Sequence, residues 1–194
     1  DDINPITAHA VKGLVGTGLV GVAKDNMEKK GTVAGLVTGF AAVEVDTETG
    51  KVELLHYHAA CEVGQVMHPQ GLSQQALGGG VHGFGMALME RHVYDPKMGN
   101  SAAVGMHNSK LPTYLDVALK ADWSAPGLGD PQNPVGVKGV GEPAQGAGAA
   151  AILSAVSDAL GGHLFNRVPI VPDMIVNHVA GRPDSTKPMS LNTQ

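Results

Sequence analysis

Glu142 stands between a run of glycines and the start of a helix, in the stretch Pro134-Val-Gly-Val-Lys-Gly-Val-Gly-Glu-Pro143. Gly136, Gly139 and Gly141 put no side chains beside it, which leaves one face of the carboxylate open, and Pro143 suits a first helical turn. Two readings fit a carboxylate so placed. It can act as a general base toward a molecule on the open face. It can equally be a first-turn carboxylate stabilised by the helix dipole, worth about 0.3–1 kcal/mol. The glycines do not make a Walker phosphate loop, and they fall out of register for the Gly-x-Gly-x-x-Gly dinucleotide pattern.

Other residues carry weaker chemical signals. His56 and His58 share one side of a predicted strand, so a metal pair is geometrically possible, against the commoner reading of exposed or core-satisfied histidines. Cys61 reads as a buried thiol, and Met86, Leu88 and Met89 as core. Gly78, Gly79, Gly80, Gly83 and Gly85 crowd one helical stretch. Each costs about 0.8–1 kcal/mol relative to Ala in a helix interior. Close backbone approach to another element or a ligand is the usual compensation.

The elements that must position these residues follow from periodicity. Val37–Val45 and Lys51–Cys61 alternate apolar and polar around Asp46-Thr-Glu-Thr-Gly50, which predicts a β-hairpin with Gly50 in the left-handed position. Leu77, Val81, Phe84 and Leu88 share one face of a helix over residues 73–91. Ala-rich Gln145–Leu160 predicts another helix, stopped by Gly161 and Gly162. A helical pattern also runs from Thr7 to Lys29, and the proline-punctuated stretch from Tyr94 to Pro134 reads as irregular. The expected organisation is an N-terminal helical segment (1–36), one domain (37–178) and a polar tail (179–194).

Composition narrows the possible functions. Lys and Arg number 13 against 18 Asp and Glu, a net charge of −5 with no basic run, so nucleic acid and anionic membranes are poor partners. A single cysteine excludes an internal disulfide framework or a Cys-built metal cluster and fits a cytoplasmic location. The apolar run Val11–Val22 is too short to span a bilayer, and no secretory leader is evident. Glycine, at 27 of 194 residues, is abundant, while Phe, Tyr and Trp number only three, three and one. So little packing volume predicts that another polypeptide or a large cofactor lies against the chain.

Several stretches, in order along the chain, carry a family resemblance. They are Ala41–Val52, Cys61–Pro69, Gln75–Gly85, Lys110–Asp116, Val137–Pro143 and Val168–Ile175. Together they resemble the C-terminal part of the molybdopterin-binding subunit of the molybdenum hydroxylases, the xanthine dehydrogenase/aldehyde oxidoreductase family. The resemblance covers residues 37–178. The chain departs from the family pattern at His82, where glutamine is usual, at Ser73-Gln74 before Gln75, at Glu62 in place of aspartate, and at Ala144 in place of a second proline.

The resemblance implies an α+β fold, with β-hairpins or a mixed sheet and packed helices. It implies molybdenum on molybdopterin, free or as its cytosine dinucleotide, with no metal ligand from the protein. Glu142 becomes the expected general base of a hydroxylation whose oxygen comes from water. Gln75, Gly78, Gly79, His82, Lys138, Gly139, Val140 and Gly141 become the expected cofactor-binding residues, with Gln75 offering an amide donor and acceptor and the glycines giving the cofactor room. His68 could also touch the cofactor by its place in the pattern. The expected substrate is an azaheterocycle of purine or nicotinate type, or an aldehyde. The expected partners are a second molybdenum-site subunit, an iron–sulfur subunit and a flavin subunit. Two other readings stand beside this one: a non-catalytic structural or assembly subunit, and a cofactor-free binding module.

Overall fold

The computed structural model describes residues 5–14, 16 and 35–183, except 96, 108, 119, 133 and 166. The elements are α1 (Pro5–Leu14), β1 (Leu36–Val45), β2 (Val52–Glu62), α2 (Pro69–Leu88), β3 (Lys120–Ser124), α3 (Gly141–Ala159) and α4 (Pro172–Val179). Most of the N-terminal segment beyond α1, and residues 184–194 of the tail, lie outside the described residues.

The predicted hairpin forms, with Val45 opposite Val52 and Leu36 opposite Glu62. Its turn is built on Asp46, whose carboxylate accepts from the Glu48 and Thr49 amides and the Thr49 hydroxyl. Gly50 has φ +72°, and a β-carbon there would meet the Pro172 carbonyl oxygen at 2.3 Å. The register shifts between Ala42 and Val43, leaving Leu55 without a partner opposite. That bulge changes the phase of β2, so Leu54 and Tyr57 both turn inward although their spacing is odd.

A third strand joins the sheet where sequence periodicity indicates only irregular chain. β3 pairs in parallel with β2, His56 opposite Lys120 and Ala60 opposite Ser124. Lys-Ala-Asp-Trp-Ser is short and mostly exposed, so it carries no apolar alternation. The short helix α4 escapes sequence reading for a related reason: eight residues give little more than two turns of periodicity. Two boundaries also move: α2 begins at Pro69, and α3 begins at Gly141, ahead of its Ala-rich part.

Helices α2 and α3 cover one face of the sheet, and glycine sets their distance. A β-carbon on Gly79 would lie 2.5 Å from the Ala144 methyl, and one on Gly83 would lie 2.4 Å from the Ala149 amide nitrogen. A β-carbon on Gly80 would strike the Tyr57 ring, and one on Gly39 the Ala147 carbonyl. The core is correspondingly made of small and medium residues, with Tyr57, Ala59, Cys61, Ala76, Phe84 and Ile152 buried between sheet and helices. A second cluster of Val156, Ile170 and Ile175 seats α4.

Candidate functional site

Two structural units fix the ground around Glu142. The first is the end of β2, where the loop before α3 is stitched to the sheet. The Lys138 amide donates to the Val63 carbonyl at 2.8 Å, and the Gln65 amide to the Gly136 carbonyl at 2.7 Å. Gly64 permits this approach, since a β-carbon there would fall 2.2 Å from the Gly136 oxygen. The Lys138 ammonium donates to the Glu62 carboxylate, with the Lys138 side chain 9% exposed. That hydrogen bond holds Glu62 below the usual carboxylate range.

The second unit is α2, which presents Gln74, Gln75, Gly78, Gly79 and His82 along one face. Its start is capped by His68, whose Nδ1 accepts from the Gly71 amide at 2.6 Å. With Nδ1 used as the acceptor, the neutral ring carries its proton on Nε2. His68 is therefore engaged in the cap, and it lines a neighbouring cavity rather than the one beside Glu142.

Between α2 and the start of α3 lies an open cavity of about 280 Å³, lined by Gln74, Gln75, Gly78, Gly79, His82, Gly141, Glu142 and Gln145. The structure thus brings Gln75, Gly78, Gly79, His82, Gly141 and Glu142 around one space. Lys138 and Val140 line an adjoining cavity of about 290 Å³ that shares Gln75. Gly139 lines neither, but a β-carbon on it would meet nothing within 4 Å.

The glycines divide into two kinds. Gly78 faces open space, as the cofactor-room reading requires. Gly79 and Gly80 do not make room: their missing β-carbons are the places taken by Ala144 and Tyr57.

Two lining residues, Gln74 and Gln145, are not among those picked out from the sequence. The signal for Gln145 is its i+3 spacing from Glu142 on a common helix. Its amide also donates to Met86 Sδ at 3.7 Å, a weak contact tying α3 to α2.

Glu142 occupies the first turn of α3, and Val140, at the N-cap, makes no side-chain cap. No side chain caps the N–H groups of Gly141, Glu142 and Ala144 at this helix start, and Pro143 has none to cap. Glu142 itself is exposed on this chain.

His56 and His58 take up another arrangement. Asp122 of β3 binds both, at 3.1 Å from His56 Nε2 and through His58 Nδ1, while His58 Nε2 meets the Ser124 hydroxyl at 3.0 Å. Hydrogen bonds from His58 first and His56 second hold Asp122 below the ordinary aspartate range. Among the described residues no group of three or more His, Cys, Asp or Glu could hold a metal ion. Cys61 is fully buried, and burial pushes its thiol up. No helix among the described residues is long and apolar enough to cross a membrane.

The model of the molybdopterin cofactor-binding domain family matches residues 7–118. The chain belongs to this family. The match includes Gln75, Gly78, Gly79 and His82 and ends before Glu142. Among curated relatives, the gamma subunit of the 6-hydroxypseudooxynicotine dehydrogenase complex of Paenarthrobacter nicotinovorans is 31% identical over 140 residues, 72% of this chain and 18% of that protein. The aldehyde oxidoreductase molybdenum-binding subunit PaoC of Escherichia coli (strain K12) is 30% identical over 122 residues, 63% of this chain and 17% of that protein. Among solved structures, quinoline 2-oxidoreductase from Pseudomonas putida 86 superposes with a TM-score of 0.67 at 30% identity, covering 73% of this chain and 18% of that one. The α+β fold and the family implied by the motifs agree with these likenesses. The chain spans less than a fifth of the length of the curated relatives it matches.

The residues around the cavity fit molybdopterin. Gly78 leaves open space, Gln75 supplies an amide donor and acceptor, and the start of α3, where no side chain caps the helix, is the kind of terminus suited to anionic oxygens.

Proposed function

We propose that this chain forms one wall of a molybdopterin site in a molybdenum hydroxylase and contributes Glu142 as its general base. The observation that carries the proposal is the convergence of Gln75, Gly78, His82 and Glu142, from two helices, on one cavity. The reaction adds water-derived oxygen to carbon: substrate C–H and water give C–OH, two protons and two electrons. The bound cofactor supplies the two-electron acceptor for this chemistry. Glu142 accepts a proton at its carboxylate as the new carbon–oxygen bond forms. Gln75 holds the cofactor by donating and accepting through one amide, His82 donates from its ring, and the start of α3 offers N–H groups to anionic oxygens.

Lys138 has a different part in this account: its ammonium is committed to Glu62, so it fixes the loop that carries Gly139, Val140 and Gly141. A nitrogen heteroaromatic is the favoured substrate class, because the names 6-hydroxypseudooxynicotine dehydrogenase and quinoline 2-oxidoreductase both denote oxidation of such compounds. An aldehyde is the second reading, favoured by the likeness to an aldehyde oxidoreductase subunit.

The remaining walls come from a second molybdenum-site polypeptide, with iron–sulfur and flavin subunits carrying electrons away in the cytoplasm. Large exposed apolar side chains support such a covering partner: Tyr114 is 92% exposed and Leu115 93%. The test is metal and pterin analysis of the purified assembly. The proposal expects molybdenum and molybdopterin in equal amounts per copy of this chain; an assembly without either contradicts it.

A further inference from the structure

Gln145 follows Glu142 by three residues on α3, so the two side chains project from neighbouring places on one helical face. Both line the cavity of about 280 Å³. Helices α2 and α3 run side by side in the same direction: Gly141 lies beside Gln75, Gly79 beside Ala144 and Gln145, and Gly83 beside Gly148 and Ala149. Polar groups of the two helices are therefore met in the same order along the cavity. Gln75 marks one end, beside Gly141, and His82 lies about two turns further along α2. The Gln145 amide reaches across to Met86, about one turn past His82, which places it at the His82 end.

This side chain is half-buried and held by little. One amide N–H donates to Met86 Sδ at 3.7 Å, and a thioether sulfur is a weak acceptor. The amide makes no other hydrogen bond among the described residues, which leaves its carbonyl oxygen and second N–H without partners. Of the side-chain polar atoms in the described residues, only the Tyr57 hydroxyl is both buried and unpartnered. The unpartnered oxygen of Gln145 is therefore accessible to solvent. The sulfur contact aims the amide across the cavity without exhausting its capacity to donate and accept.

We propose that Gln145 is a further molybdopterin-binding residue, an amide that hydrogen-bonds the cofactor at the His82 end of the cavity. The assignment rests on the molybdopterin reading of that cavity. A pterin carries N–H donors beside carbonyl and ring-nitrogen acceptors, and an amide matches such a mixed edge where a purely cationic or anionic side chain does not. Gln75 offers the same pair of groups at the other end, so a glutamine from each helix holds the cofactor.

Two substitutions in the complete assembly test this. Gln145→Met keeps the length and flexibility of the side chain and removes the amide, while Met86→Leu removes the sulfur contact alone. Molybdenum and pterin per chain are followed through successive gel filtrations, with subunit composition as the check on folding and KM measured on the loaded fraction. Gln145→Met should weaken cofactor retention by about 2- to 13-fold, the loss of one hydrogen bond of about 0.5–1.5 kcal/mol, and Met86→Leu should leave it within about twofold. Unchanged retention in Gln145→Met would overturn the proposal and leave the molybdopterin reading standing. So would an equal loss in Met86→Leu, which makes Gln145 a packing contact, or an altered KM at unchanged cofactor content, which turns it toward the substrate. An unsubstituted assembly without molybdenum or pterin overturns both the proposal and the reading.

Discussion

The amide oxygen of Gln75 stands 3.3 Å from where Gly141 would carry a β-carbon. Those two residues, on α2 and at the start of α3, form the seam between the two cavities, and Gln75 lines both. A methyl at position 141 is tolerated only if the Gln75 side chain gives way by a few tenths of an ångström. Gly141→Ala should therefore leave the fold intact, because the displaced group is the end of a flexible side chain, while lowering cofactor content. Molybdenum per chain against the thermal unfolding midpoint checks this: the first should fall while the second holds.

Gly78 and Gly83 make a paired test of what the glycines are for. A β-carbon on Gly78 meets nothing within 4 Å. Gly78→Ala should stabilise the cofactor-free protein by about 0.5–1 kcal/mol through helix propensity while crowding the cavity and reducing cofactor retention. Gly83→Ala drives its methyl into the α3 backbone at 2.4 Å, and overpacking of this kind costs about 1–3 kcal/mol or more. Denaturant unfolding of the two variants should move in opposite directions.

The ion pair between Lys138 and Glu62 is a positioning device for the loop ahead of Glu142. Because Glu62 is held below its ordinary range in the folded chain, its contribution is fully present above the unfolded-state value and is lost as pH falls through the lowered folded value. Glu62→Gln should therefore remove part of the acid sensitivity of the fold below about pH 4.5. Turnover near neutral pH should also fall, by up to about 10²-fold if the loop shifts by about 1 Å. Urea midpoints from pH 3 to 7 (roughly the range over which carboxylates titrate), alongside kcat at neutral pH, check both effects.

His82 stands where the family pattern has glutamine, and both side chains can donate into the cavity. His82→Gln should keep cofactor and turnover within a few-fold. His82→Leu should weaken cofactor retention by about 2- to 13-fold, the equivalent of one ordinary hydrogen bond. Equal behaviour of the two variants would remove the donor role.

The elements with strong local signals were legible in the sequence. The hairpin announces itself through alternation and Gly50, and α2 through Leu77, Val81, Phe84 and Leu88. β3 was not legible, because a strand whose side chains are mostly exposed has no apolar period to show. Its loss hid Asp122, and with it the partner of His56 and His58. The glycines were legible as a cluster but not as individuals. Gly78 borders the cavity, while Gly80 and Gly83 are required by Tyr57 and by α3, a distinction that tertiary packing alone decides. Lys138 was similarly ambiguous: a lysine in a glycine-rich loop beside a candidate base reads as a ligand contact, and only the approach of β2 shows it paired with Glu62.

The central claim is that Glu142 is the base, and Glu142→Gln in the assembled, cofactor-loaded complex tests it most directly. The substitution keeps the shape of the side chain and removes the proton acceptor, at a helix start where the lost dipole interaction is worth about 0.3–1 kcal/mol. With molybdenum and pterin content unchanged, kcat should fall by about 10²–10⁴. Turnover within a few-fold of the unsubstituted complex would contradict the account and leave this chain a structural wall.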